Sequence, residues 1–160
     1  MTSDGEKLLK LDDFDRRILD CLQTAPQMSM IEIAERVGLS HTPCWRRVRR
    51  MEEAGLILGK RTLLDPRALG YPVCVLASVR IRNHDEAVLE AFETEVCSHP
   101  EIVECFAMSG ESDYVIRVLA RSIDDYEQFL RRVLLHLPGV DAINSNFALK
   151  HVKLTTNIPL

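Results

Sequence analysis

The sequence predicts an α+β protein: three short helices, followed by a four-stranded antiparallel sheet with two helices on one face. Three observations predict it. Apolar residues in the first third recur at helical spacing inside segments that carry their own start and stop residues. From Val73 the apolar period changes to two, as in a strand. Beyond that point the segments follow in the order strand, helix, strand, strand, helix, strand.

Composition bounds the classes open to the chain. With 46% hydrophobic and 28% charged residues over 160 positions, it has the profile of a globular protein of one ordinary or two small domains. No apolar run reaches the roughly 18 residues that a bilayer crossing takes, so no membrane partner is expected. The start, MTSDGEKLLKLDDFDRR, has no basic segment leading into an apolar one. A secretory signal peptide is therefore not expected, and a cytoplasmic location is. Five cysteines (Cys21, Cys44, Cys74, Cys97, Cys105) share no repeating spacing and read as small buried apolar groups, not as a disulfide framework. The net charge of -4 argues against a polyanionic partner until its distribution is read. Residues 1–62 hold 11 basic and 10 acidic side chains, and the remainder carries -5. Within His41–Arg61 six basic residues face two acidic ones, a local +4 on an acidic protein.

The first helix is capped by Asp12 or Asp13 and runs to about Thr24, with Phe14, Ile18, Cys21 and Leu22 on one face; Pro26 closes it. Ser29 followed by Glu32 is a capping-box pattern for a second helix, whose Met30, Ile33, Ala34 and Val37 repeat at helical spacing and whose end is Gly38. A short turn leads to SHTPCWRRVRRMEEAG, with Ser40 as N-cap, Pro43 tolerated in the first turn and Gly55 at the end. Cys44, Val48 and Met51 face the other two helices. His41, Thr42, Trp45, Arg46, Arg49 and Arg50 point outward, and Arg47 lies on a flank. This is a helix-turn-helix with a cationic third helix of about 15 residues, roughly 22 Å long, suited to a major groove about 12 Å wide. The candidate DNA-binding residues are Ser40, His41, Thr42, Trp45, Arg46, Arg47, Arg49 and Arg50. Short polar residues at the helix start reach base edges, and arginines take phosphates or guanine. The alternative is a solvated arginine-rich face on a structural helix; the glycine turn and two preceding helices favour duplex DNA.

LILGKRTLLDP reads as a short edge strand linking two domains, and Gly70, Tyr71 and Pro72 as a second break. A strand over Val73 to about Arg82 comes next. Asp85 caps a helix bearing Val88, Phe92 and Val96, stopped near Pro100. Strands Ile102–Met108 and Tyr114–Ala120 flank the turn Ser109–Asp113. Ser122, with Asp125 three residues on, starts a helix whose Tyr126, Phe129, Leu130, Val133 and Leu137 share a face. After Pro138 and Gly139 a final strand region runs from Val140 to about Thr156. The order is that of a ferredoxin-like βαββαβ unit. The expected divisions are 1–62 for DNA binding, 63–72 as hinge, and 73–160 for ligand sensing and oligomerisation. The strands are apolar at both parities, Cys74 and Leu76 beside Val73 and Val75, so the face without helices needs a second cover. Another copy of the same sheet supplies one. The expected assembly is a two-fold homodimer, which presents two recognition helices to a palindromic site.

With these motifs in place, the chain resembles the leucine-responsive/asparagine-regulatory (Lrp/AsnC) family of transcription regulators. The carriers are LDDFDRRIL, VGLSHTPCWRRVRRMEEAGLI, the turn SGESDY, LPGV after the last helix, and the ending LKHVKLTTNIPL, in that order over nearly the whole length. The resemblance implies a winged helix-turn-helix joined by a hinge strand to a βαββαβ regulatory domain. It implies sequence-specific regulation of transcription on nucleoid DNA, dimers that assemble further into octamers in many members, and amino-acid effectors bound between dimers. Carried over by position, the effector loop is Gly110, Asp113 and Tyr114, preceded by Met108 and Ser109, with Thr155 and Thr156 as further candidates. Gly110 permits a tight turn with close backbone approach, neighbouring N–H groups suit a carboxylate, and Asp113 suits an ammonium. The alternatives are an ordinary turn aspartate at 113 and the frayed end of the last strand at 155 and 156.

No catalytic motif is present: there is no G-x-S-x-G, phosphate-binding glycine loop or H-E-x-x-H, and Asp124 with Asp125 opens a helix as caps do. His41 with Cys44, and Cys97 with His99 and Cys105, are metal-compatible types without a C-x-x-C pair or a closed set of four ligands. Neither an enzyme nor a cofactor or metal is expected.

Overall fold

The first two helices begin where side-chain chemistry places a cap. Helix α1 (Asp13–Thr24) opens on Asp12, whose carboxylate accepts from the Asp15 N–H at 2.9 Å while Asp15 accepts from the Asp12 N–H at 3.2 Å. Helix α2 (Met30–Val37) opens on the same reciprocal pattern between Ser29 and Glu32 and closes on Gly38 at φ 77°. Helix α3 (His41–Glu53) opens at Ser40, whose backbone holds the cap conformation although its hydroxyl makes no capping bond. One stripe of each helix meets the others in a core that includes Ile18, Ile33, Val37, Cys44, Val48 and Met51.

The structure, a computed structural model, describes residues 9–160. The expectation about a signal peptide concerns a start whose first eight residues lie outside those described. The chain separates into two units, one reaching to Thr62 and including Lys153–Leu160, the other Leu63–Val152.

The second unit holds β1 (Val73–Ile81), α4 (Glu86–Ser98), β2 (Ile102–Ala107), β3 (Tyr114–Ala120), α5 (Ile123–Arg132), a 3-10 turn (Leu134–His136) and β4 (Val140–Phe147). The strands pair antiparallel in the order β2-β3-β1-β4, so the long first strand sits centrally between the third and fourth. Alternation then sorts the side chains. Val75, Ala77 and Val79 of β1 and Ile116 and Val118 of β3 are buried against Phe92 of α4 and Tyr126 of α5. On the opposite face Leu76 sits between Arg117 of β3 and Asn146 of β4, and Phe106 of β2 sits beside Val115. Leu76 is 44% exposed and Phe106 55%, so this face is bare in the single chain.

Three local expectations are corrected. Residues 56–66 form no strand, and Leu58, Leu63 and Leu64 lie exposed, so neither the edge strand nor the hinge strand is paired. Strand-forming residues alone supply no partner ladder, and an isolated strand leaves its hydrogen-bonding groups open. The last strand stops at Phe147, not near Thr156, because the ladder with β1 ends there, one further bond running from the Ala148 N–H to the Cys74 carbonyl at 2.9 Å. Residues 153–160 group with the helical unit. Finally, Cys21, Cys44 and Cys74 are buried, but Cys97 of α4 and Cys105 of the edge strand β2 are exposed.

Candidate DNA-binding helix and effector loop

Helix α3 carries two kinds of arginine. His41, Thr42, Trp45, Arg46 and Arg49 form an exposed outer stripe. Arg46 has no ion-pair partner among the described residues, and Arg49 makes only an exposed 3.4 Å contact with Glu52 while its guanidinium lies 5.7 Å from the Trp45 ring centre. The first turn of α3 holds no acidic residue, and the Ser40 hydroxyl is uncommitted to the helix. Its leading N–H groups therefore face outward with partial positive charge, the usual setting for a phosphate.

Arg47 and Arg50 are placed differently. Arg47 Nη1 donates to Asp12 at 2.7 Å and to Asp15 at 2.8 Å, and Arg50 Nη2 donates to Asp15 at 2.6 Å. Asp15 and then Asp12 raise the Arg47 pKa above its ordinary value. The Phe14 ring lies under both Arg17 and Arg47, at 4.7 and 5.5 Å. Sequence reasoning missed Asp15. Its signal is a carboxylate three residues before buried Ile18, on the inward side of an amphipathic helix, where an acid persists only with a cationic partner.

In the second unit, the loop between β2 and β3 brings Met108, Ser109, Gly110 and Asp113 together at one end of β3. The Met108 N–H donates to the Asp113 carbonyl at 2.8 Å, and the Asp113 N–H to the Val79 carbonyl at 2.9 Å. The Asp113 carboxylate is engaged on both oxygens: it accepts from the Ile81 N–H at 2.6 Å and pairs with the His84 Nε2 at 2.6 Å. His84 is a loop partner that sequence reasoning did not name. Gly110 has no positive φ, and a Cβ built on it meets nothing within 4 Å, so the expected tight-turn requirement is absent from this chain taken singly. Tyr114 turns inward, stacked 4.5 Å from Phe92 with its hydroxyl donating to Glu93 at 2.8 Å. Burial, then Glu93, pushes its phenol up to about 12. Thr155 and Thr156 are exposed and belong to the other unit. A recess of about 270 Å³ lies at the opposite end of β3, bordered by Tyr71, Arg121, Phe129 and Arg132, and does not include the loop.

Comparison with known proteins gives two family matches: a winged helix-turn-helix DNA-binding model over residues 11–57, and the Lrp/AsnC ligand binding domain over residues 74–158. The chain is 35% identical over 150 residues to the DNA-binding transcriptional activator DecR of Escherichia coli, covering 94% of this chain and 99% of that one. Its structure superposes with a TM-score of 0.88 on an AsnC family transcriptional regulator from Agrobacterium tumefaciens, at 38% identity over 93% and 97% of the two chains. A transcriptional regulator of Neisseria meningitidis, solved in complex with L-methionine, superposes at 0.89 with 33% identity over 94% and 97%.

Proposed function

Since this chain belongs to the Lrp/AsnC family and is a DNA-binding transcriptional regulator with a ligand-binding domain, we propose that it reads specific duplex sequences with the outer stripe of α3 and that an amino-acid-type effector at the 108–114 loop modulates it. The observation that carries this reading is the exposed pair of guanidinium groups, Arg46 with no ion-pair partner among the described residues and Arg49 with only a 3.4 Å surface contact to Glu52, beside His41 and Thr42 at a helix start whose Ser40 hydroxyl makes no capping bond. Thr42 and His41 meet base edges, Arg46 and Arg49 take phosphate or guanine, and Trp45 lies along the sugar edge.

The effector half rests on the loop's charge. Asp113 is a carboxylate at the edge of an exposed loop, its pKa lowered by the Ile81 N–H and then by His84. It stays anionic at neutral pH and suits an ammonium. The open space at Gly110 lets a carboxylate or a neighbouring subunit approach the backbone. The L-methionine complex of the similar Neisseria regulator supports an amino acid as the guest. Because the loop lies on the surface of one chain, the pocket is completed between subunits. The bare face around Leu76 and Phe106 supplies the first interface, a two-fold pairing of sheets in which the regulatory unit also serves assembly, up to higher oligomers such as octamers. Residues 63–72 act as the hinge between the two activities. Among the described residues no helix is long and apolar enough to cross a membrane, and the working location is the cytoplasm, on nucleoid DNA.

The test is a salt series of DNA binding with Arg46→Ala and Arg49→Ala. Each substitution is expected to weaken binding and to flatten the dependence of log K on log salt by about 0.9 for every phosphate no longer neutralised, with helix content unchanged by circular dichroism. Wild-type affinity and slope in both variants sink the assignment of α3.

A further inference from the structure

The four arginines of α3 are not equivalent, and one carboxylate divides them. Arg47 and Arg50 lie three residues apart and both turn toward α1, where Asp15 stands between them with one oxygen on each. Asp15 is 1% exposed and is the sole buried charged side chain among the described residues. Asp12 adds a second carboxylate on Arg47, so the quartet is formally neutral. Arg46 and Arg49 lie outside it. The side chain of Arg50 is 47% exposed, so a modest rotation carries its guanidinium into solvent on release.

We infer that Asp15 is a specificity-setting positioning residue for DNA binding: it withholds Arg47 and Arg50 from the phosphate backbone. Phosphate contacts strengthen binding to every sequence alike, whereas discrimination comes from base edges and DNA shape. A helix that spent all four guanidinium groups on phosphates would bind any duplex more tightly and lower the ratio of specific to non-specific affinity. Packing alone does not account for the arrangement, since a buried ion pair is often no more stabilising than apolar side chains of the same volume. This residue also fixes where α3 points, because both arms of the brace originate on that helix. The inference rests on α3 as the DNA-facing element, and the experiment separates the two by including Arg46.

The full-length protein is titrated onto a random-sequence duplex by fluorescence anisotropy across a salt series. Asp15→Asn keeps the shape and removes the charge. It is expected to bind this duplex more tightly and to steepen the salt slope by about 1 to 2, so that the fall in affinity between 50 and 200 mM salt grows about threefold for each further phosphate engaged. Adding Arg47→Gln and Arg50→Gln to Asp15→Asn is expected to return the slope to its wild-type value, which a merely structural role for Asp15 does not predict. Asp12→Asn keeps a good N-cap residue and frees Arg47 in part, giving a smaller change of the same sign. A folded Asp15→Asn protein with an unchanged or flatter slope overturns the inference. If that variant fails to fold, an unchanged slope in Asp12→Asn is equally fatal. Should Arg46→Ala also leave the slope untouched, it is the placement of DNA on α3 that fails.

Discussion

At the scale of single residues, the contrast is between carboxylates already spoken for and cations left free. Asp113 illustrates the first. Its oxygens hold the end of β1 through Ile81 and reach His84 across the loop, so an incoming ammonium competes with an imidazole that is 62% exposed and free to swing away. Asp113→Ala is expected to weaken effector binding about tenfold or more, the worth of one hydrogen bond to a charged group, with DNA affinity in the absence of effector within about twofold; calorimetry and a binding curve check the two halves. The pH dependence has a definite sign. A carboxyl whose pKa is lowered on folding adds stability at every pH above its unfolded value and loses it as the pH falls through the folded one. The Asp113 pKa lies below its ordinary 3.8, so the Ile81 N–H is expected to keep its protection at neutral pH and to lose it only below that value, as amide exchange would register. The outer arginines were legible from spacing alone, because an amphipathic helix leaves one side to solvent. The split between Arg46 and Arg49 on one hand and Arg47 and Arg50 on the other was not: it depends on Asp15, which is 32 and 35 positions away in sequence.

Among the elements, what was readable is what is local. The Ser29–Glu32 capping box, the stop at Gly38 and the alternation along β1 depend on neighbours within a few positions, so spacing reveals them; at the first helix it left the cap open between Asp12 and Asp13, and the reciprocal Asp12–Asp15 bond appears only in the structure. What failed needed a distant partner. LILGKRTLLDP has strand-forming residues but no ladder, and the last strand ends where its pairing with β1 ends. Gly139 shows a local residue with a non-local reason. It turns the chain from the last helical turn into β4 at φ 71°, and an added Cβ would collide with Val88 Cγ1 on α4 and sit 3.2 Å from Ile81 Cγ2. Gly139→Ala combines left-handed strain with overpacking and is expected to cost about 2–4 kcal/mol in a denaturant melt. A loss below about 0.5 kcal/mol would mean that α4 yields freely there.

For the molecule as a whole, the bare sheet face is where the proposed assembly can be tested. Leu76 lies on the central strand, and the bidentate Arg117–Glu104 pair at 2.9 and 2.8 Å borders it on the same side. Leu76→Lys is expected to shift the protein toward monomer by light scattering, since a second sheet would then bury an unpaired ammonium, while the melting temperature of the monomer changes little because the side chain already meets water. An unchanged oligomer places the interface elsewhere. The apolar character of this face was visible in the sequence as apolar residues at both parities, and the structure leaves Leu76 on it exposed. The course of the chain beyond the sheet was not legible, because it depends on a partner far away in sequence. After Val152 the chain rejoins the helical unit, where the Gln23 side-chain amide donates to the Ile158 carbonyl at 2.8 Å and accepts from the Ile158 N–H at 3.0 Å. A reporter dye or fusion partner attached beside Ile158 thus travels with the DNA reader although it trails the sensor in sequence, and its signal should respond to promoter engagement directly.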